Sequence, residues 1–239
     1  MKKSVFTILS LMLITSVNVQ ANPTCESIAD ADQQFITDLC EANGKDADST
    51  GHLRELCGKD FILTTKSAAY QKSISYKAKQ GDRSSGYGDK MTYEQLQHYP
   101  VAFSMTCTEE GMSFETLVIN SEGLTKIPES IGGLTQLRVL DLSDNEIVYV
   151  PATISQNKIL EQVYLGGNKI PQIPQGLDSL PNLRTLYLNQ NEIYSVDVPT
   201  VEALLQRVDY FDLTENRLSP EQRKELKQKY RRNPKLSFI

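Results

Sequence analysis

The chain has no tryptophan and only two histidines, His52 and His98, which are isolated from each other in sequence. Isolated histidines give neither a metal cluster nor a general base with an orienting partner. Cysteine is scarce too: Cys25, Cys40, Cys57 and Cys107 are the whole supply. Their gaps of 15, 17 and 50 residues fit no zinc template. After the first 21 residues, no stretch approaches the ~18 consecutive apolar residues of a membrane span. Positive charge is in deficit, with a net charge of −5, which argues against a general nucleic-acid binder. Nucleophile elbows, zinc-protease helices, phosphate-binding loops and Cys-x-x-Cys pairs are all missing. The glycine-rich stretch 81–89 (GDRSSGYGD) lacks a following Gly-Lys-Ser/Thr and reads as a loop. The expectation is a protein without enzymatic activity, cofactor or metal.

What is present begins with a leader. Lys2 and Lys3 precede an apolar run over residues 5–17, and Val19-Gln20-Ala21 offers a small-residue cleavage site. This order reads as a signal peptide over residues 1–21, and so as an exported protein, periplasmic or secreted. The mature chain then carries 23 basic and 30 acidic side chains, with no membrane insertion expected. All four cysteines lie in the mature part. An even count in an exported chain predicts two disulfides, and the spacing leaves all three pairings open.

From about residue 114 the chain repeats itself. Residues 137–147 (LRVLDLSDNEI), 160–170 (LEQVYLGGNKI) and 183–193 (LRTLYLNQNEI) align without gaps, with Asn145, Asn168 and Asn191 at intervals of 23. A fourth full copy, residues 208–218 (VDYFDLTENRL), brings Asn216 after 25 residues. A degenerate copy, residues 114–124 (FETLVINSEGL), comes first and has Glu122 in the asparagine place. Each copy offers four apolar places, and all twenty are apolar. At 39% hydrophobic composition, chance supplies that on the order of once in 10^8.

The unit resembles the leucine-rich-repeat family, which reads L-x-x-L-x-L-x-x-N-x-L. The apolar-Pro pairs Ile127-Pro128, Val150-Pro151 and Ile173-Pro174 resemble its typical 23-residue class. The resemblance implies an α/β solenoid, a short curved stack whose parallel strands line a concave face. It also implies that Asn145, Asn168, Asn191 and Asn216 turn inward and bond the backbone of adjacent turns. Glu122 cannot donate as an amide does, so the first repeat is expected to act as a capping turn. Asp197 stands where the fourth repeat should have proline, and Val198-Pro199 follow two residues late. That shift predicts a longer helical turn on the convex side over residues 200–207.

A solenoid needs closed ends. Ser219-Pro220-Glu221-Gln222 is a helix start, with Ser as N-cap and Pro at the first helical position. The predicted cap helix spans residues 220–232, inside a C-terminal section 219–239. Before the repeats (111–218), residues 22–110 read as a mainly helical, disulfide-stapled region capping the N-terminal edge. Ile28, Phe35, Ile36 and Leu39 recur at helical spacing over 25–41. Leu53 and Leu56 suggest a second helix and residues 92–99 a third; residues 101–107 look strand-like.

Strand residues between buried leucines must point outward. The predicted concave stripe is Val139, Asp141, Gln162, Tyr164, Thr185, Tyr187, Asn189, Tyr210 and Asp212. Tyr164 and Tyr187 fall in equivalent places and Tyr210 one column aside. Tyrosine offers contact area with a polar tip and is enriched at interfaces. The sequence therefore points to a protein-interaction module binding a protein partner through this stripe. Two other readings stay open. One is an envelope spacer that docks through residues 22–110, and the other is glycan binding on the tyrosine rings.

Overall fold

The computed structural model describes residues 28–45, 54–57, 73–77 and 92–238. The predicted leader, Cys25, His52 and the 81–89 loop lie outside the described residues, as does the side chain of Cys107.

Each full repeat contributes one three-residue strand, and each strand lies parallel to the next. β4 (Val139–Asp141), β5 (Gln162–Tyr164), β6 (Thr185–Tyr187) and β7 (Tyr210–Asp212) follow β3 (Gly111–Ile119) in chain order. Their central residues Leu117, Leu140, Val163, Leu186 and Phe211 stand side by side and are buried. The alternation of buried and outward residues is the pleat of a strand, and each core row is closed only by its neighbours.

The turn after each strand shows why the sequence repeats so strictly. The residue before each ladder position has a left-handed backbone: Ser121, Asp144, Gly167, Gln190 and Glu215, with φ between 53° and 67°. That geometry turns the following side chain into the stack. Gly167 takes this φ without strain, and a Cβ there would meet the Asp144 carboxylate. Asn168 shows the pattern. Its Nδ2 donates to the carbonyls of Leu142, Leu165 and Gly166, and its Oδ1 accepts from Ile147 N–H. Asn145, Asn191 and Asn216 make the corresponding bonds in their own repeats. Backbone groups that would be buried unpaired are thereby satisfied.

Short 3-10 turns (Glu129–Gly133, Ala152–Gln156, Leu177–Ser179) form the convex side of the first spacers. The two extra residues of the last spacer become a full helix there, α4 (Val198–Arg207), whose N-cap Asp197 accepts from Thr200 N–H. The longer convex turn expected over 200–207 is thus present and begins two residues earlier.

Both edges are closed. α1 (Asp30–Ala42) lays Phe35, Ile36 and Leu39 against the first repeat. Its C-cap Asn43 acts as an extra rung: Oδ1 accepts from Thr125 and Lys126 N–H, and Nδ2 donates to Lys126 O. The Cys40–Cys57 disulfide ties α1 to α2 (Arg54–Cys57). At the other edge, α5 (Pro220–Tyr230) starts at the Ser219 N-cap and buries Leu226. The chain then returns as β8 (Leu236–Ser237), a further parallel strand on β7 that the sequence reading did not anticipate.

Among the described residues of the N-terminal region, the three expected helices are present, and strands accompany them. β1 (Ser73–Lys77) and β2 (Val101–Thr108) pair antiparallel and continue the sheet through β3, giving eight strands. The alternation Ser73-Ile74-Ser75-Tyr76 is the signal for β1, and it is too short to stand out alone. α3 (Tyr93–Leu96), with its Thr92–Gln95 capping box, precedes β2. Among the described residues no helix is long and apolar enough to cross a membrane.

Candidate functional site

Four tyrosines stack along the concave face. Ring centroids are 4.7 Å apart for Tyr93 and Tyr164, 5.1 Å for Tyr164 and Tyr187, and 5.0 Å for Tyr187 and Tyr210. Tyr164 and Tyr187 are paired directly by the register of β5 and β6. Tyr210 pairs with Thr185, one column aside, and its ring reaches Tyr187 diagonally. Tyr93 comes from α3 in the N-terminal region, and nothing in the repeat pattern announces it.

Hydroxyls and carboxylates lock the two ends. Asp141 Oδ2 accepts from Tyr93 Oη at 3.0 Å and from Asn120 Nδ2 at 3.1 Å, while its Oδ1 accepts from Ser143 N–H and Oγ. Asp212 repeats the device, accepting from Tyr210 Oη at 3.3 Å and from Thr214 N–H and Oγ1. Tyr164 Oη donates to Gln162 Oε1. Burial pushes the Tyr93 hydroxyl well above its usual range, and the Asp141 charge adds to this. Burial, and then Tyr187, push Tyr164 up to about 12. Tyr187 is raised mainly by burial. The hydroxyls are therefore neutral hydrogen-bonding groups and not bases.

The comparisons with known proteins agree with this geometry. A family model described as leucine rich repeat matches residues 113–170. The leucine-rich-repeat ectodomain of the receptor kinase SOBIR1 from Arabidopsis thaliana superposes with a TM-score of 0.51 at 20% identity, covering 89% of this chain and 93% of that one. Residues 113–170 match leucine-rich repeats, and the chain has a leucine-rich-repeat fold. A leucine-rich-repeat protein of Leptospira interrogans is also similar, at 22% identity and a TM-score of 0.42. That match covers 52% of this chain and 36% of the other, so this chain spans about a third of that relative's length. A search of curated proteins finds no match.

On the leucine-rich-repeat scaffold the predicted stripe divides in two. Gln162, Tyr164, Thr185, Tyr187, Asn189 and Tyr210 stand half-buried on the concave face. Val139 and Asp141 are 8% and 3% exposed, and Val118 before them is fully buried. Over Val118 and Asp141 the cover is α3 with the segment behind it: Leu96, also fully buried, packs with Ala102 and Val118, flanked by Tyr93 and Tyr99, and Tyr93 bonds Asp141. Asp212 is 9% exposed beneath its own hydroxyl donors. The sequence pattern places all these residues on one face. Which of them solvent reaches is settled by a segment more than forty residues away, since Tyr93 and Asp141 lie 48 apart.

The borders of the leucine-rich-repeat face carry alternating charges that satisfy each other. Arg138 pairs with Glu161 on one border; Lys169 with Glu146 and Arg217 with Glu192, both at 2.9 Å, on the other. The exposed large apolar side chains Val148, Tyr149 and Tyr194 lie on the flank after the asparagine turns, away from the concave strands. Sequence reasoning did not single them out.

Proposed function

We propose that this chain is exported and binds a protein partner on the concave face of its last three repeats, through Tyr164, Tyr187, Tyr210 and the polar residues Gln162, Thr185 and Asn189 beside them. The observation that carries this reading is the half-exposed tyrosine stack. It is large, pre-ordered by mutual packing, and tipped with hydroxyls, so little side-chain entropy is lost when a partner docks. The leucine-rich-repeat fold supports interaction rather than catalysis. The Cys40–Cys57 disulfide supports an oxidising compartment, in line with the leader-like residues 1–21.

Sugar binding is disfavoured on physical grounds. A glycan platform needs a free ring face, and the inner rings of this stack are occupied by their neighbours on both sides. The spacer reading keeps one point in its favour, because the N-terminal region reaches the same face through Tyr93.

The test is affinity capture from envelope and culture-medium extracts with the mature chain beside a Tyr187→Ala/Tyr210→Ala variant. Expected is a protein retained by the first and lost by the second, with the two variants melting alike by circular dichroism. Equal capture by both would sink the concave-face reading.

A further inference from the structure

We infer that the flank of the stack, just after the asparagine turns, is a binding site for a neutral oligosaccharide. Its exposed tyrosines Tyr149 and Tyr194 would hold the sugar rings, and the polar side chains of the grooves beside them would hold the hydroxyls. This site is separate from the concave face and stands or falls independently of it.

The exposed large apolar side chains of the described residues all gather here. Tyr149, Tyr194 and Val148 are 60%, 54% and 52% exposed. The repeat period explains the gathering. Val148, Pro171 and Tyr194 fall in one column of successive turns, and Tyr149, Gln172 and Ser195 in the next. An isolated parallel bridge joins Gln172 to Ser195 and keeps the columns in register. Tyr149 and Tyr194 thus stand two turns apart, on the order of 10 Å at the ~4.8 Å spacing of neighbouring strands. Gln172 lies between them and donates from Nε2 to Tyr194 Oη at 2.9 Å. Among the described residues neither ring stacks on another aromatic ring. The obstacle to sugar binding on the concave stack, where the inner rings are covered on both sides, does not arise on this flank.

Two grooves lie beside these rings. One, of about 190 Å³, runs from Val148 and Tyr149 across Pro171 to Gln175. The other, of about 380 Å³, runs from Gln172 and Gln175 to Asp178, Ser195, Asp197 and Thr200. Shared residues 172–175 make them one continuous trough. Its polar lining is amide, carboxylate and hydroxyl, and no lysine or arginine lines either groove. Bonding capacity is left over. Gln172 keeps Oε1 and one N–H, and Asp197, which caps α4 through Oδ1, keeps its second oxygen. The cations nearby are occupied: Lys169 with Glu146, Arg217 with Glu192, and Arg207 on the carbonyl of Asp178.

This lining selects a ligand class. Asp178 and Asp197, with no cation in the trough, disfavour phosphates, nucleic acids and acidic glycans. A protein interface takes roughly 20–30 residues a side around an apolar centre, whereas here three exposed apolar side chains border a polar trough. A purely apolar ligand would leave amides and carboxylates desolvated without partners. A pyranose ring answers both halves of the site. Its axial C–H groups form an apolar face for a tyrosine ring, and its hydroxyls donate to carboxylates and pair with amides. Two ring contacts two turns apart call for an oligomer.

The experiment screens the whole chain on an array of neutral oligomers of glucose, N-acetylglucosamine, galactose and mannose, with heparin fragments as the acidic comparison. Hits are titrated by calorimetry against the wild type, Tyr149→Ala, Tyr194→Ala, Gln175→Ala and the concave-face variant Tyr187→Ala. The three flank positions are exposed, and circular dichroism checks that every variant melts like the wild type. Expected is a neutral oligosaccharide whose affinity does not change with salt. It should fall more than about tenfold on Tyr149→Ala and on Tyr194→Ala, and several-fold on Gln175→Ala, with no change on Tyr187→Ala. Retention of no neutral saccharide would overturn the site, as would a preference for heparin that weakens as salt rises. Binding that survives both flank tyrosine variants would place the sugar elsewhere and overturn it equally.

Discussion

Asn168 and Lys169 are adjacent in sequence and opposite in consequence. Asn168 satisfies three carbonyls and one N–H that water cannot reach. Asn168→Ala is expected to lose about 3 kcal/mol or more, since each stranded buried group costs roughly 1–3 kcal/mol. Lys169 makes an exposed pair with Glu146, and Lys169→Ala should change stability by less than about 1 kcal/mol. Urea denaturation of the two variants measures the contrast. Similar losses would mean that the ladder is not the stabilising element.

Asp32 poses a different residue-scale question. Its side chain is 2% exposed, and burial moves its pKa from the ordinary 3.8 up to about 6, although Oδ1 accepts from Phe114 N–H at 2.5 Å. A carboxyl held protonated more tightly in the folded chain takes up protons on folding. Stability should therefore fall as pH rises from about 4 to about 6, with the full penalty, at most about 3 kcal/mol, standing above that window. Asp32→Asn keeps an acceptor for Phe114 and should flatten this slope and raise the melting temperature at neutral pH. An unchanged slope in thermal melts across that range would place the titration elsewhere.

At the scale of elements, the caps close what the repeats leave open. The Cys40–Cys57 bond joins α1 to α2 across a separation of 17 residues and is expected to contribute roughly 2–4 kcal/mol. Reduction should speed amide exchange in α1 and at the Asn43 contacts with Thr125 and Lys126, and leave β5 and β6 protected. Peptide mapping without reduction should return the Cys40–Cys57 pair. At the other edge, Ser219→Ala removes an N-cap and should cost about 1 kcal/mol. Arg223 gives that cap a second hold, donating to the carbonyls of Leu218 and Asn216.

The described residues form one continuous stack. A single buried cluster runs from Ile28 to Phe238 across all the repeats. Stability in such a stack depends on nearest-neighbour contacts, so damage should spread from where it is made. Leu226→Ala, which empties the C-terminal cap, is expected to raise exchange first in β7 and then in β6, with β3 and β4 least affected. Uniform exchange across all strands would instead indicate one all-or-none unit.

The repeat, its register, the asparagine ladder, the capping helices and the longer helix α4 were all legible in the amino-acid sequence. These are set by local rules: strand alternation, a left-handed turn before each asparagine, an N-cap serine, a two-residue insertion. The sequence also placed the tyrosines and aspartates on one face. Tertiary structure alone decided what that face exposes. Tyr93 has no periodic signal, and its bond to Asp141 spans 48 residues of chain. Only once β2 lies against β3 does α3 come over the first repeats, covering Val118 and Asp141 and lengthening the aromatic stack. A repeat pattern records how each turn meets the next. It holds no information about a segment from outside the pattern that packs on top of it.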